Sequence, residues 1–298
     1  MVLFIFDSKK FLTLWRHFSM NKLIDNSYSH AKLDVIKEKS LNYVIKTFDY
    51  DLNRVSCNIS KQNQFTNKTL GNVSLMSVPI TEITKHKREI SIKMPYIDGL
   101  NGSDIILYSH RSNFISFLNF VESYFLESFK KVNYENVDAN ILLKKVDDIF
   151  SNIRFKIPIS KKTIVNSINK TKNYAFPIGD CHGDFTLDNI IIGNDGRFYL
   201  IDFLVTYLET PLQDFVKLKQ DTEYGWCVRK LSKSDQTKAN VFFDKIKALP
   251  ILKKLEIEHT KEVKILNLIS LLRIAPYVRD KITENWLVYQ LNKITRDL

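Results

Sequence analysis

Glycine is scarce in this sequence and is missing from its first part. Eight glycines occur among 298 residues, and the first of them is Gly71. A glycine-rich loop that wraps phosphate groups needs glycines at short intervals, because only glycine lets the backbone approach a ligand so closely. The stretch before Gly71 therefore excludes a glycine-rich phosphate-binding loop.

Cysteine is equally sparse, with only Cys57, Cys181 and Cys227 in the whole chain. An odd number of cysteines without a CxxC pair argues against a disulfide framework and against a zinc site built from cysteines. This usage is typical of proteins in reducing surroundings. We therefore expect a cytoplasmic location.

Long hydrophobic runs are also missing. No apolar stretch reaches the roughly 18 residues that a membrane-spanning helix needs. The opening residues MVLFIF are too short for the core of a signal peptide, and no basic residue precedes them. We expect neither a signal peptide nor a membrane span.

Positive charge is in excess. The chain has 44 Lys and Arg against 33 Asp and Glu, which gives a formal net charge of +11. A basic balance favours anionic ligands. The lysines are spread over nearly every segment, however, and most are interpreted as solvated helix faces. Because there is no arginine-rich run and no helix-turn-helix or RNA-binding signature, we do not expect nucleic acid as a partner.

The first hundred residues have the alternation of apolar and polar residues that is typical of strands. A short helix is predicted over 9–19, and the polar stretch 50–70 supports no assignment. Lys39 and Ser40 interrupt two alternating runs and predict a hairpin. The predicted strand runs are 22–28, 32–38, 41–48, 74–84 and 89–97.

After Gly99 and Gly102 the apolar spacing becomes helical. Between the predicted helices lies one strand-like segment, 189–203, with a strong turn signal at 193–196. The predicted helices are 113–131, 138–152, 236–248, 261–274 and 280–296. The sequence therefore predicts a bilobal α+β fold. Its parts are a small β-rich N-terminal lobe (1–98), a hinge near 95–102, and a larger, mainly helical lobe (99–298).

The segment 179–203 concentrates the residues that carry chemistry. It contains His182-Gly183-Asp184, then Asn189, then Asp202 after the predicted hairpin. The hairpin returns Asp202 to the side of Asn189, so three oxygen donors converge. A carboxylate and an amide oxygen suit magnesium, and a further carboxylate can meet a hydroxyl. These are the requirements of phosphoryl transfer from a nucleotide.

These residues also resemble a known family. HGDFTLDN is similar to the HxDxxxxN catalytic loop of aminoglycoside phosphotransferases and choline kinases, and LIDF is similar to their second metal motif. The resemblance implies a protein-kinase-like fold, ATP as phosphoryl donor and Mg²⁺ as cofactor. It implies Asp184 as the catalytic carboxylate and Asn189 and Asp202 as metal ligands. His182 would act in the same loop as a brace rather than in direct proton transfer.

The resemblance implies nucleotide-binding residues in the N-terminal lobe as well. Lys46, at the end of a predicted strand, would reach the phosphates; the alternative is an exposed strand lysine. Met94 and Tyr96, in MPYIDG, would form the hinge whose backbone meets adenine; the alternative is a plain turn. Ser27 and Ser29 would replace the missing glycine loop with amides and hydroxyls.

One further departure and one further match concern charged partners. No glutamate lies between Lys46 and Thr81 that could pair with Lys46 from a helix. Asp214 matches an aspartate that ties down the catalytic loop in the family. A simple acidic residue in the first turn of a helix is an equally good interpretation of Asp214.

Three functions are compatible with these motifs. The leading hypothesis is a kinase that uses a nucleoside triphosphate and phosphorylates a small hydroxylated molecule. The second is a non-catalytic, kinase-like nucleotide-binding regulatory protein, which the missing glycine loop and glutamate favour. The third, a protein kinase, is disfavoured because no activation segment or APE-like motif is recognisable.

The acceptor is the least determined part of this hypothesis. A cationic acceptor would need an acidic or aromatic pocket. The net positive charge instead favours a neutral or anionic acceptor. The segment 201–226 also resembles phosphotransferases of bacterial surface-polysaccharide loci, which implies a sugar or polyol. Candidates for an acidic or aromatic pocket are Glu209, Asp221, Glu223, Tyr224 and Trp226.

Overall fold

The computed structural model describes residues 31–170 and 174–296. The predicted helix 9–19 and strand 22–28, and with them Ser27 and Ser29, lie outside the described residues. Two compact units are present. Within the described residues, the first unit comprises 31–63 together with Val78–Ile97, and the second comprises Gln64–Ser77, 98–170 and 174–296.

The first unit is a four-stranded antiparallel sheet with one helix, Leu52–Gln64. In the order in which they pair, its strands are Lys32–Glu38, Leu41–Phe48, Glu89–Pro95 and Glu82–His86. Val55 and Ile59 of the helix are buried, as are Ile92 and Met94 of the sheet. Apolar residues at strand and helix spacing thus supply the small core of this unit.

The hairpin predicted at Lys39 and Ser40 is confirmed. Glu38 pairs with Leu41 across a two-residue turn, and Lys39 has a φ of 56°. Such a left-handed residue gives the turn the twist that matches the two strands it joins.

The structure corrects two expectations for this part of the chain. The unassigned stretch 50–70 contains the helix Leu52–Gln64. The run 74–84, predicted as one strand, is two strands, Val73–Ser77 and Glu82–His86, which belong to different sheets. Pro79 lies between them and interrupts the ladder, because it has no N–H to donate.

The second unit contains a five-stranded sheet around the predicted hairpin. In order, its strands are Lys68–Leu70, Val73–Ser77, Phe198–Leu200, Ile190–Gly193 and Gly99–Asn101. The hairpin is confirmed: Ile190 pairs with Leu200, and Gly196 in the turn has a φ of 76°. Residues 189 and 201 therefore emerge at the same end of the hairpin.

The five predicted helices are all present, at Arg111–Ser128, Ala139–Phe150, Lys233–Lys247, Thr260–Leu272 and Lys281–Thr295. Besides Leu52–Gln64 in the first unit, four helices of the second unit were not predicted: Gly102–Tyr108, Lys161–Lys170, Pro211–Thr222 and Pro250–Glu258. Asn133–Val137 and Tyr174–Ile178 form a separate antiparallel pair.

In the described part of the chain, no helix has both the length and the apolar character needed to cross a bilayer. The fold is mixed α+β, with a β-rich N-terminal region and a helical C-terminal part.

Stacked aromatic rings fix the hairpin and the loop that precedes it on the helix Arg111–Ser128. Phe120 stacks on Phe198 at 4.3 Å between ring centroids, and Tyr124 stacks on Phe185 at 4.1 Å. All four residues are at most 5% exposed to solvent. Such pairs add to the hydrophobic free energy of burial. They hold the backbone next to Asp184 against a rigid helix.

Removing Phe120 should therefore unfold the second unit more readily. Phe120→Ala leaves a cavity where the stacked ring was, and we expect the free energy of unfolding to fall by about 3–5 kcal/mol. Ile115→Ala is the matched control, because Ile115 lies in the same helix but is 46% exposed; its cost should be about 0.5 kcal/mol. Urea unfolding measures both, and equal losses in the two variants would contradict this account of the core.

Candidate active site

The helix Pro211–Thr222, which we term the anchor helix, positions the candidate site. Its beginning is well defined: the Thr210 hydroxyl accepts a hydrogen bond from the N–H of Leu212 at 3.3 Å, and Pro211 occupies the first turn. Proline is tolerated there because the first N–H groups of a helix have no partner within it. All twelve residues of the anchor helix are buried.

Three charged residues of the anchor helix lie on one face. Asp214, Lys217 and Asp221 follow the spacing i, i+3 and i+7, which places their side chains in one row. Each contacts a different part of the loop formed by residues 182–189, as the following distances show. The row therefore holds the loop along its whole length.

Asp214 holds the beginning of the loop. Its two carboxylate oxygens accept hydrogen bonds from the N–H groups of His182 and Gly183, each at 2.7 Å. The Tyr124 hydroxyl donates a third at 2.6 Å. Burial raises the pKa of the Asp214 carboxyl, although these donors and His182 favour its charged form. Both interpretations of Asp214 hold, since it lies in the first turn of the anchor helix and ties down the loop.

Gly183 is needed for the turn that follows. It has a φ of 88°, and a Cβ at this position would collide with the carbonyl oxygen of Leu204. The N–H of Leu204 in turn donates to the carbonyl of His182 at 3.0 Å. Glycine thus lets the loop and the segment after Asp202 approach each other closely.

His182 has the geometry of a brace. The N–H of Asp184 donates to Nδ1 at 3.2 Å, so the ring proton is assigned to Nε2, which donates to the carbonyl of Ile201 at 2.8 Å. The residue is 1% exposed and its ring lies 4.3 Å from that of Phe203. Both nitrogens are engaged with the backbone, which leaves neither for proton transfer to a ligand.

Asp184 presents a partly accessible carboxylate that two donors hold in place. Oδ1 lies 3.0 Å from Nζ of Lys217, and Oδ2 accepts from Nδ2 of Asn189 at 3.1 Å. The side chain is 25% exposed. Burial would raise its pKa, but the nearby charges, above all Lys217, outweigh burial and leave the pKa lowered. Asp184 is therefore ionised at neutral pH.

Asn189 and Asp202 lie at the open end of the hairpin. The amide nitrogen of Asn189 donates to both the carbonyl and the carboxylate of Asp184, at 2.8 and 3.1 Å. The N–H of Ile201 donates to the Asn189 carbonyl at 3.2 Å, which brings Asp202 next to Asn189. Asp202 has a φ of 61°, a left-handed conformation that is uncommon for non-glycine residues and is found in tight turns and at functional sites.

Asn189 and Asp202 fit a magnesium ion that takes only some of its ligands from the protein. Their donors are one carboxylate and one amide oxygen, both hard ligands. Within the described ranges, no group of three or more His, Cys, Asp or Glu side chains could hold a metal ion by itself. Mg²⁺ usually takes one or two carboxylates and completes its octahedron with water and phosphate oxygens, so two donors suffice.

Asp221 secures the end of the loop from inside the protein. Its carboxylate accepts the N–H of Leu187 at 2.7 Å and that of Cys227 at 3.1 Å, and it is fully buried. Burial, followed by the charge of Asp188, raises the pKa of Asp221 to about 7. Asp221 is therefore a structural residue of the loop rather than part of an open acidic pocket.

The other two candidate acids are also engaged with the chain itself. Glu209 accepts from the N–H of Thr206 at 2.8 Å and from the thiol of Cys181 at 3.2 Å. Glu223 pairs with Lys219 at 2.8 Å within the anchor-helix region. Because both oxygens of Glu209 and one oxygen of Glu223 already have donors, these acids are poorly suited to form the cation pocket considered from the sequence.

The two candidate aromatic residues are similarly occupied. Tyr224 is buried, and its carbonyl accepts from Nε1 of Trp286 at 2.7 Å. The guanidinium of Arg229 lies over the Trp226 ring at 3.4 Å from the centroid, and the Trp286 ring lies 5.2 Å from it. The face of Trp226 that a cationic ligand would use is covered by a cation of the chain.

In the first unit, Lys46 is not an exposed strand lysine. It lies on the strand Leu41–Phe48 and is 6% exposed, with Nζ 5.4 Å from the centroid of the Phe48 ring. The helix Leu52–Gln64 contains no acidic residue, as the sequence indicated. Its buried Gln62 donates instead to the carbonyl of Val78 at 2.8 Å.

The proposed hinge residues lie at the end of the strand Glu89–Pro95. Met94 is 6% exposed, and its sulfur accepts from Nε2 of Gln62 at 3.4 Å. The N–H of Tyr96 donates to the carbonyl of Asn42 at 2.9 Å. That N–H is engaged within the sheet, so a base would have to use other backbone groups of this segment.

Two functional candidates were missed from the sequence. Lys217, which contacts Asp184 directly, was not singled out, and Asp221 was considered only for an acceptor pocket. A signal was available: once Asp214 is placed in a helix, positions 217 and 221 share its face. The helix itself was not predicted, because all of its faces are buried and its mixture of apolar and charged residues hides the helical period.

Comparisons with known proteins agree with this geometry. Residues 164–239 match the Phosphotransferase enzyme family. This range contains the 182–189 loop, the hairpin and the anchor helix. The match supports the resemblance inferred from HGDFTLDN and LIDF. Among curated proteins, none matches the chain.

Solved structures show the same fold at low sequence identity. The choline kinase LicA from Streptococcus pneumoniae has a TM-score of 0.51 and 13% identity, over 95% of this chain and 100% of that one. Aminoglycoside phosphotransferase APH(4)-Ia has a TM-score of 0.53 and 9% identity, over 94% and 98%. A thermostable mutant of it, solved with AMP-PNP and hygromycin B, gives 0.53 and 10%, over 93% and 97%. The chain therefore has the protein-kinase-like fold of these small-molecule kinases.

Weakening the hold of Asp214 should loosen the loop. Asp214→Asn places an amide NH₂ against one of the two N–H donors, and we expect a loss of about 3 kcal/mol in unfolding free energy. Amide exchange at His182 and Gly183 should accelerate. Tyr124→Phe removes only one hydroxyl donor and should cost about 1 kcal/mol. Hydrogen exchange and urea unfolding test both, and unchanged exchange in Asp214→Asn would contradict the anchoring role.

Asp221 should make stability depend on pH. Its carboxyl has a pKa of about 7 in the folded protein and 3.8 ordinarily, so between these values only the folded state retains the proton. Stability from this group is complete below pH 3.8 and is lost as pH rises towards 7, at about 1.4 kcal/mol per pH unit. The difference in unfolding free energy between wild type and the non-titrating Asp221→Asn should show this slope and level off above pH 7. A flat difference would show that Asp221 is ionised when folded.

Proposed function

We propose that this protein is an ATP-dependent kinase that transfers the γ-phosphoryl group to a hydroxyl of a small molecule. The observation that carries the proposal is the carboxylate of Asp184, held by Lys217 and Asn189 yet still partly accessible. It belongs to a loop that resembles the catalytic loop of small-molecule kinases, within a fold that choline kinase and aminoglycoside phosphotransferase share.

Asp184 would orient the acceptor hydroxyl and accept its proton. A hydroxyl has a high pKa and loses its proton late, as its bond to phosphorus forms. The transferred group passes through a loose transition state, so positioning of the nucleophile contributes more than strong basicity. Burial would raise the pKa of Asp184, but Lys217 and other nearby charges lower it. The carboxylate is therefore ionised at neutral pH, as this role requires.

Lys217 is proposed as the residue that positions Asp184. Its side chain is 8% exposed, and its ammonium group bonds Oδ1 of Asp184, while the amide of Asn189 donates to Oδ2. Burial lowers the pKa of Lys217, and the charge of Asp184 opposes this shift. Each charge therefore favours the ionised form of the other, and the carboxylate has a fixed rotamer before any ligand binds.

Nucleotide and metal would use the remaining candidates. Asn189 and Asp202 would hold Mg²⁺, which when bound neutralises charge on the phosphates. In the first unit, the buried Lys46 is proposed for the phosphates, and Met94 and Tyr96 for the adenine. The chain's own contribution is to offer fixed oxygen donors and a desolvated ammonium group. Ser27 and Ser29 remain proposed phosphate contacts from the sequence alone.

The acceptor is proposed to be a sugar or polyol, and the cytoplasm is the proposed location. The resemblance of segment 201–226 to phosphotransferases of surface-polysaccharide loci supports the first part. Glu209 accepts from the N–H of Thr206, and Glu223 pairs with Lys219. The guanidinium of Arg229 covers a face of Trp226. These contacts also disfavour a cationic acceptor.

A non-catalytic nucleotide-binding protein is the second candidate. The helix Leu52–Gln64 has no acidic partner for Lys46, and the first glycine of the chain is Gly71. A protein that only binds nucleotide, however, would not need an accessible carboxylate held by two donors. Turnover separates the two candidates.

Replacing Asp184 should abolish catalysis without abolishing binding. Asp184→Asn keeps the size of the side chain and an oxygen for Lys217 but loses the charge and the basicity. We expect turnover to fall by roughly 10²- to 10⁴-fold, the usual range for a positioned acid or base. The protein should still fold and still bind ATP with magnesium. Steady-state ATP consumption, screened over sugars, polyols, amino alcohols and aminoglycosides, measures the first effect, and calorimetry measures the second.

Asp202→Ala provides the complementary variant. It should keep its fold but lose the thermal stabilisation that ATP gives in the presence of magnesium. Turnover retained within about threefold in Asp184→Asn would remove this residue from the mechanism, because a positioned base contributes far more. Wild-type binding of ATP and magnesium without turnover on any acceptor would favour the regulatory alternative.

A further inference from the structure

Arg273 acts on the charges of the candidate active site, and its side chain has no partner of its own among the residues that the structure describes. It directly follows the helix Thr260–Leu272 and is half-buried. Among the described residues, no oxygen accepts a hydrogen bond from its guanidinium and no carboxylate forms an ion pair with it. A half-buried guanidinium carries five N–H donors, so leaving them unsatisfied is costly unless water or a ligand accepts from them.

The packing of two helices directs Arg273 towards Asp184. The hydroxyl of Ser270 lies 3.2 Å from Oε1 of Gln220 in the anchor helix, and Nζ of Lys217 donates to the same oxygen at 3.3 Å. Arg273 follows Ser270 by three residues, so the two share a helix face. This packing places the guanidinium on the side of the anchor helix that carries Lys217.

The charge of Arg273 reaches both residues of the catalytic ion pair. Burial has the largest effect on the pKa of Lys217 and lowers it, and Arg273 lowers it further. Burial would raise the pKa of Asp184, and Arg273 is among the charges that lower it instead. Lys217 and Arg273 are therefore two cations beside the Asp184 carboxylate, and Asp221 also acts on Lys217.

Gln213 adds a buried donor to the same region. It is 1% exposed, and its side chain acts on Tyr207 as a donor, but its Nε2 makes no hydrogen bond of good geometry to any residue that the structure describes. Lys217 follows it by four positions along the anchor helix, so both lie on one side. Burial raises the pKa of Tyr207 to about 12, and Gln213 and Arg273 both act in the opposite direction. Both therefore lie close to Tyr207.

These groups have one chemical property in common. The side chains of Arg273, Lys217 and Gln213 all present N–H donors, and the first two carry positive charge. The nearby acids Asp221 and Glu209 already accept hydrogen bonds from backbone N–H groups. A carboxylate or a phosphate matches these donors in charge and geometry.

We propose that the acceptor carries a carboxylate or phosphate group near its reactive hydroxyl, and that Arg273 and Gln213 bind this anionic group. The inference rests on the proposed kinase function and specifies the class of its substrate. Sugar acids and the monophosphates of sugars or polyols have this chemistry. Arg273 then determines which hydroxyl compounds reach Asp184.

Matched neutral and anionic compounds test the inference. The probes are glucose, glucuronate and glucose 6-phosphate, and glycerol, glycerate and glycerol 3-phosphate, each added to the full-length protein with magnesium and a non-hydrolysable ATP analogue. Calorimetry at constant ionic strength measures binding. We expect an anionic member to bind more tightly than its neutral counterpart. Comparing carboxylates with phosphates identifies which of the two groups is recognised.

Variants assign the binding to the proposed residues. Arg273→Gln should weaken binding of the anionic compound by roughly tenfold to a hundredfold, the usual contribution of a charge-assisted hydrogen bond. Arg273→Lys should restore part of it, and Gln213→Met should weaken it less than Arg273→Gln. Affinity for the ATP analogue should not change in any of these variants. Arg279→Gln is the matched control, because it removes the same charge from an exposed arginine.

Three results would overturn the inference. They are equal or tighter binding of the neutral compounds, an unchanged affinity in Arg273→Gln, and a loss of affinity for the ATP analogue instead of the acceptor. Turnover measured in parallel keeps the two proposals separate. Phosphorylation of neutral acceptors at equal rates in wild type and Arg273→Gln would support the kinase and reject the anionic acceptor. Arg273-dependent binding of an anion without any phosphorylation would support the anion site and reject the kinase.

Discussion

The buried contact between the anchor helix and the 182–189 loop is the constraint on which the site depends. Asp214 and Asp221 satisfy backbone N–H groups at the two ends of the loop, and Lys217 bonds the carboxylate of Asp184 between them. A loop whose own backbone hydrogen bonds are limited to short turns, among them the 3₁₀ turn Leu187–Asn189, acquires a fixed conformation in this way. The free energy that stabilises the site therefore comes from a helix, which is rigid, rather than from the loop.

Burial of three charges on one helix face has an electrostatic consequence. Each carboxylate or ammonium group loses hydration, so each must be compensated by donors or by an opposite charge. Asp184 and Lys217 compensate each other, Asp214 is compensated by two N–H groups and a hydroxyl, and the pKa of Asp221 rises to about 7. Arg273, just outside this network, adds positive charge that no residue in the described part of the chain neutralises by direct contact.

Several elements could be predicted because their signals are local. The hairpin at Lys39, the hairpin at 193–196 and five long helices have clear periodicity or turn residues. The helix Leu52–Gln64 was missed although Leu52, Val55 and Ile59 have helical spacing, because polar residues dilute the pattern. The anchor helix was missed for the opposite reason: every face of it is buried, so no polar face marks the period.

The sequence by itself determined the class of the fold and predicted the chemical type of the candidate site. HGDFTLDN and LIDF place Asp184, Asn189 and Asp202 at spacings that a loop and a hairpin bring together, and this information is contained in 25 consecutive residues, 179–203. Only the tertiary structure decided that Lys217 holds Asp184, that Asp221 is internal, and that Arg273 is near both charges. Those contacts join residues from separate helices and loops, and local periodicity shows which face of an element is buried but not which residue it meets.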